Sequence, residues 1–230
     1  MEPMQPNTQS NVELDEAAPE AGGAALGTGP SGPPAQPSDG EAEALRAGTY
    51  GLLASLLAQP PSEQLLDQIA RIAEPAEEVD EMATAWRVLK LAAGRSEVEP
   101  VDDEFHDLFI GVGRGELVPY GSWYLTGYVM DRPLALLRAD LESLGIERSA
   151  ETSEPEDHAA ALCETMALLI ASEDTGPEDE RRFFAQHMQP WFDVFFRDLQ
   201  TAKAACFYRA VGRLGQAFME LESRYLAMAV

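Results

Sequence analysis

The C-terminal stretch FYRAVGRLGQAFMELESRYLAM, residues 207–228, decides the fold class. Its apolar side chains fall at Phe207, Val211, Leu214, Phe218, Leu221, Tyr225 and Met228. The steps alternate between four and three, which places them along one stripe of an α-helix. A half-buried strand would need alternation with period two. The same helical periodicity recurs toward the N-terminus. Leu45, Leu52, Leu53, Leu56 and Leu57 form a run that Pro60-Pro61 stops. Ser62 is placed to cap the next helix, through about Ala73. Further helices are predicted over 76–93, ending at Gly94, and over Val101 to Ile110, closed by Gly111. After a loop at 114–121, Pro133 opens a helix to Gly145. Ser153 or Glu154 caps the next, with Pro155 in its first position, running to about Ser172. Gly176-Pro177 begins another to about Met188, and Pro190 one through about Ala202. No segment shows sustained alternation of β-branched residues, and no repeat period stands out. The expectation is an all-α protein: a single globular domain of about nine or ten helices.

The chain has 230 residues, 45% of them apolar, which is ordinary for a globular protein. Its net charge of −24 is not ordinary. Residues 1–43 are rich in Pro, Gly, Ala and Ser, with eight acidic residues, no basic one and no aromatic. Such a segment buries too little apolar surface to offset its chain entropy, and it reads as a disordered acidic tail. The helical domain is then 44–230, which keeps 32 acidic against 16 basic residues, a net −16. That balance argues against nucleic-acid binding, which draws its affinity from Lys and Arg, and against anionic membrane surfaces. It favours encounter with a basic partner. No run of about 18 apolar residues exists, so no stable membrane insertion is expected. The N-terminus has neither the basic region nor the apolar core of a secretory signal. Cys163 and Cys206 sit in apolar helical patterns and read as buried free thiols, with no zinc-ligand spacing. A reducing, cytoplasmic location fits them.

Three clusters carry the chemistry: EFHDLFIGVG at 104–113, PYGSWY at 119–124, and EPEDH at 154–158. The histidines are His106, His158 and His187, none in a zinc-protease spacing. His187, just before Pro190-Trp191, is expected to fix a helix corner. Glu156 and Asp157 lie in the predicted first turn of a helix, where the macrodipole favours carboxylates. Asp157 also offers a charge-assisted bond to a guanidinium. Asp157 and His158 make a poor catalytic dyad, because adjacent helical residues point about 100° apart and no Ser or Cys nucleophile is placed by a motif. The run Gly111-Val112-Gly113-Arg114-Gly115 lacks the Lys-Ser/Thr of a phosphate loop and follows no strand. It reads as a helix-ending loop, which leaves nucleotide hydrolysis as a minor alternative. No catalytic residue, metal or cofactor is expected. Tyr120, Trp123 and Tyr124 on a Pro/Gly loop are the residue types that anchor peptide partners. With Phe105, Leu108 and Phe109 they are expected to wall an apolar groove beside the acidic helix start.

Taken together, these motifs resemble the TorD/DmsD family of cytoplasmic chaperones for molybdoenzymes exported by the twin-arginine route. The matching residues are Leu108-Phe109-Ile110-Gly111, Pro119-Tyr120-Gly121-Ser122-Trp123-Tyr124 and Glu154-Pro155-Glu156-Asp157-His158. Phe184, His187, Pro190-Trp191, Phe195 and Phe207-Tyr208 follow in the family's order. The resemblance spans about residues 42–226. It implies a non-enzymatic, all-helical chaperone that binds a twin-arginine signal peptide and the apo-form of its molybdoenzyme subunit. Cofactor insertion would be supported and export delayed. Carried over by position, the binding residues are Leu108, Phe109, Pro119, Tyr120, Ser122, Tyr124, Asp157 and His158. Phe105, Trp123 and Glu154 complete the candidate signal-peptide site. Phe109, Tyr120 and Tyr124 suit the signal's apolar segment, and Asp157, Glu154 and Glu156 suit its arginines. The family often has Pro and Trp where this chain has Val112 and Tyr120, which bears on the preferred signal. A chaperone for a non-exported nitrate-reductase-type subunit is the alternative. A monomer is expected, with hinges near Asp131-Arg132-Pro133 or Gly145 as a route to a swapped dimer.

Overall fold

The computed structural model describes residues 38–73, 80–111, 114–147 and 154–228. Within them lie ten α-helices: α1 (Asp39–Ala58), α2 (Glu63–Ala70), α3 (Glu81–Ala93), α4 (Val98–Phe105), α5 (Gly121–Thr126), α6 (Arg132–Ser143), α7 (Ala159–Ala171), α8 (Pro177–Phe183), α9 (Phe192–Thr201) and α10 (Phe207–Met228). Two π-helical turns, His106–Ile110 and Phe184–Met188, extend α4 and α8. No strand occurs among the described residues, so the all-α expectation holds there. The first helix starts at Asp39, ahead of the boundary read at 43. Residues 1–37 of the acidic tail, and the start of the helix expected from 76, lie outside the described residues. α2 ends at Ala70, short of the expected Ala73.

The helices start where the sequence supplies acceptors for their unpaired N–H groups. The Ser62 hydroxyl accepts from the Leu65 N–H at 3.2 Å. Asp80 accepts from Ala83 at 2.6 Å, and Asp131 from Arg132 at 2.7 Å. A cap from far along the chain holds the start of α10. The Glu104 carboxylate takes the N–H groups of Cys206, Phe207 and Tyr208 at 2.7, 3.0 and 2.6 Å. Glu104 is itself buried, so these charge-assisted bonds tie α4 to α10 without solvent competition.

α7 lies along α1, and α10 runs along both α9 and α3. Leu162, Cys163, Met166 and Leu169 on α7 are buried against Tyr50, Leu53, Leu56 and Leu57 of α1 within one core cluster. Where α10 meets α9, Gly215 is required, because a Cβ there would stand 2.2 Å from the buried Phe196 ring. The stripe on α10 holds through Phe207, Val211, Leu214 and Phe218, all buried. It then diverges from expectation. Leu221 and Met228 are exposed, while Glu222 and Leu226 face inward. The reason is an ion-pair cluster: Arg46 bonds Glu222 through Nε and Nη2 at 2.7 and 2.9 Å, and Glu180 at 2.8 Å. Its guanidinium also lies 4.3 Å from the Tyr225 ring centre. Leu45, expected in the α1 stripe, is exposed beside this cluster.

The cysteine expectation divides. Cys163 is buried, and burial pushes its thiol well above the ordinary range. Cys206 is exposed, because it precedes α10 in the turn that Glu104 caps instead of lying on the helix's inner face.

Candidate functional site

The segment 154–158 does not open a helix as its sequence predicts. α7 begins at Ala159, with His158 in extended backbone as its N-cap. The His158 Nδ1 accepts from the Ala160 N–H at 3.1 Å, which fixes the proton on the other ring nitrogen. Tertiary pairing overrides the local helical start. The Gly121 N–H donates to the Asp157 carbonyl at 2.8 Å, and the Ala159 N–H to the Pro119 carbonyl at 2.8 Å. Tyr120 and His158 thus form an isolated antiparallel bridge. Glu156 and Asp157 are therefore outside the first turn of α7, and the macrodipole reading of them is corrected.

The same pairing turns Asp157 toward a different helix. Residues 121–126, within the stretch read as an aromatic loop, form α5. The Asp157 Oδ2 accepts from the Ser122 N–H at 2.8 Å, near the positive end of α5. Asp157 is 3% exposed, and its Oδ1 is buried with no hydrogen-bond partner. A buried carboxylate oxygen left unpaired costs about 1–3 kcal/mol or more, so this atom marks a place where a donor is missing.

The predicted site residues divide into two groups. Pro119, Tyr120 and Ser122 meet Glu154, Asp157 and His158 around the isolated bridge. The Tyr120 hydroxyl donates to Glu154, and its ring packs edge-on against His158 at 5.0 Å. Burial and the nearby Glu154 push the Tyr120 hydroxyl up, so it stays a donor. Burial pushes the His158 imidazole down, so it stays neutral. The ring nitrogens of a neutral imidazole suit its capping role.

The remaining aromatics do not build one wall. Phe105 and Leu108 are core residues, at 5% and 0% exposure. Phe109 packs on Phe105 and Tyr208, with ring centres 5.1 and 5.5 Å apart. Tyr124 stacks on Trp191 at 5.2 Å, and its hydroxyl donates to Asp198 at 3.1 Å. Trp123 lies under the Arg114 guanidinium at 4.6 Å. The single groove expected from Phe109, Tyr120 and Tyr124 is replaced by these separate packings.

An open groove instead lies between α5, α6 and the π-helical turn at 184–188, with a volume of about 460 Å³. Leu125, Pro133 and Leu136 supply apolar walls, and Asp140, Asp157 and His187 supply polar ones. The π-helical turn sets His187 against α6, where its Nε2 donates to Asp140 Oδ2 at 2.7 Å. Its carbonyl accepts from the Trp191 indole N–H at 2.8 Å, so His187 does fix the corner. Burial lowers the His187 imidazole below its ordinary range, partly offset by Asp140. Sequence reading missed Leu125, Leu136 and Asp140. Asp140 meets His187 across 47 residues, and no local pattern signals that contact.

Comparison with known proteins gives this geometry a family. Residues 75–197, more than half the chain, match the model of the nitrate reductase delta subunit family. The chaperone protein TorD of Aliivibrio fischeri is 26% identical over 203 residues, covering 79% of this chain and 94% of its own. TorD of Vibrio atlanticus is 29% identical over 138 residues, covering 54% and 63%. A solved structure of a candidate redox enzyme maturation protein from Archaeoglobus fulgidus shares the fold, with a TM-score of 0.50 and 17% identity. That match covers 83% of this chain and 99% of the other. These relatives are chaperones and a maturation protein, not enzymes, in keeping with the non-catalytic reading of the histidines and glycines. The chain belongs to the nitrate reductase delta subunit family, as a TorD/DmsD-type chaperone.

Proposed function

We propose that this chaperone acts on a molybdoenzyme subunit, binding its twin-arginine signal peptide and its apo-form in the cytoplasm. Binding there supports cofactor insertion and delays export until assembly is complete. The observation that carries this reading is the Asp157 carboxylate, buried beside an apolar-walled groove with one oxygen unpaired. A signal peptide brings the complementary chemistry: two guanidinium groups followed by apolar side chains. The acidic surface speeds the encounter, while apolar contacts set the lifetime of the complex. Tyr120, Glu154 and His158 hold the segment 154–158 in place, and Ser122 holds the Asp157 side chain.

The test is co-expression with a molybdoenzyme precursor, with and without its signal. The full precursor co-purifies, and deletion of the signal lowers recovery at least tenfold. Equal recovery of both forms, or of neither, would refute the reading. The matched family's description favours one second reading, a nitrate-reductase-type subunit whose N-terminus is a remnant signal. Recovery that depends on the apolar segment but not on the two arginines would support it.

A further inference from the structure

The groove between α5 and α6 carries more than the resemblance assigns to it. Its lining joins two carboxylates, Asp157 and Asp140, to one exposed cation, Arg132. Asp157 contributes a buried oxygen without a partner. The Asp140 side chain is 34% exposed and is engaged through Oδ2 by His187. The other nearby cation, Arg138, is held by Glu156 at 2.8 Å. The lining therefore carries a net negative charge and a buried oxygen that still lacks a donor, and an incoming cation balances it.

Apolar surface continues from the same place. Leu125 and Leu136 line the groove yet are 43% and 55% exposed. Tyr128, Val129 and Met130, on the turn between α5 and α6, are exposed as well. Met130 is held there at a positive φ of 59°, with its N–H donating to the Ser122 hydroxyl at 3.1 Å. Exposed apolar side chains gathered beside a polar pocket mark a surface that meets a partner.

We infer that this groove is an arginine slot: one guanidinium of a bound peptide enters it, with Asp140 as the second acceptor beside Asp157 and Leu125 and Leu136 flanking the next apolar residues. The inference rests on the signal-peptide reading and assigns it specificity residues. A guanidinium has five N–H donors in a planar fork, enough to serve both carboxylates, whereas an ammonium is a point charge. The groove thus selects arginine over lysine.

Calorimetric titration of the full chain with a synthetic peptide, two arginines followed by an apolar segment, tests this against the same peptide with two lysines. The wild type binds the arginine peptide at least tenfold more tightly. Asp140→Asn weakens the arginine peptide about tenfold and collapses its preference over lysine to within threefold. Leu136→Ser weakens both peptides about equally and keeps the preference. Glu142→Gln, which removes the same charge from α6 outside the groove, leaves the affinity within twofold. Leu136→Ser and Glu142→Gln melt within about 2 °C of the wild type, because each replaced side chain is exposed; Asp140→Asn melts within about 4 °C, because the Asn carbonyl oxygen keeps the His187 bond without its charge. Wild-type binding that Asp140→Asn and Leu136→Ser leave unchanged overturns the slot and leaves the signal reading standing. No binding by the wild type overturns both.

Discussion

Replacing Asp157 by Asn separates two duties of one carboxylate. Its Oδ2 accepts from the Ser122 N–H at 2.8 Å, and an Asn carbonyl oxygen keeps that bond. The loss is charge assistance at the start of α5. Hydrogen bonds to charged groups contribute about 1.5–3 kcal/mol against about 0.5–1.5 for neutral pairs, so the fold loses about 1 kcal/mol. In a chain of this size that shifts the melting temperature by about 2–4 °C. The second oxygen behaves differently. Oδ1 has no partner in the free protein, and Asn puts an amide donor where a guanidinium needs an acceptor. Removing one member of a buried charged pair costs about 2–5 kcal/mol of binding. At about 1.4 kcal/mol per tenfold, the lower figure already means about 30-fold weaker affinity. Calorimetry with a twin-arginine peptide and urea unfolding of the same sample measure both effects. A binding loss under threefold would refute the reasoning, because the carboxylate would then serve the fold alone. A stability loss above about 4 kcal/mol would refute it as well, since Asn would have failed to keep the α5 cap.

Other outcomes follow from the packing and the titrating groups. Glu104→Gln leaves one oxygen for three backbone donors and turns an amide toward the Phe207 N–H, and urea unfolding should show a loss of about 3 kcal/mol; a loss under about 1 kcal/mol would contradict the three-bond cap. Burial lowers the His158 imidazole, and that of His187, in the folded state. The unfolded chain therefore takes up protons first, and stability falls as pH drops below about 6.5. His158→Asn keeps a capping oxygen and should flatten that fall between pH 7 and 5.5; a fall equally steep in the variant would contradict the assignment. Gly215→Ala drives a Cβ into the Phe196 ring at 2.2 Å and should cost at least about 1–3 kcal/mol in thermal unfolding; an unchanged melting temperature would show that α9 and α10 can part freely.

All the helices but the six-residue α5, which was read as loop, were legible because each buried face repeats at a local period. Phe207 to Phe218 on α10 and Leu52 to Leu57 on α1 needed no knowledge of their neighbours. What the sequence hid was set by contacts between distant residues. Leu221 and Met228 continue the α10 stripe in the sequence, but the Arg46 cluster with Glu180 and Glu222 displaces it. The segment Glu154–His158 has every local mark of a helix start, yet pairing with Pro119 and Gly121 holds it in a turn that ends in an isolated bridge. The residues of the candidate site were readable as types: an acidic group beside an aromatic one. Their directions were not, because Tyr124 turns to Trp191 and Phe109 to Tyr208, across long stretches of chain. Asp140 and Leu136 belong to an otherwise unremarked amphipathic helix, and only the placement of α6 beside α5 brings them to the groove.

Backbone hydrogen exchange of the full chain, measured with and without a saturating twin-arginine peptide, tests most directly that the corner of α5 and α7 receives the client's signal. The predicted result is slowed exchange at residues 122–126, at 132–140, at 184–188 and at Ala159–Ala160, with the rest of the described chain unchanged. Protection confined to other helices, or none at saturation, would contradict it.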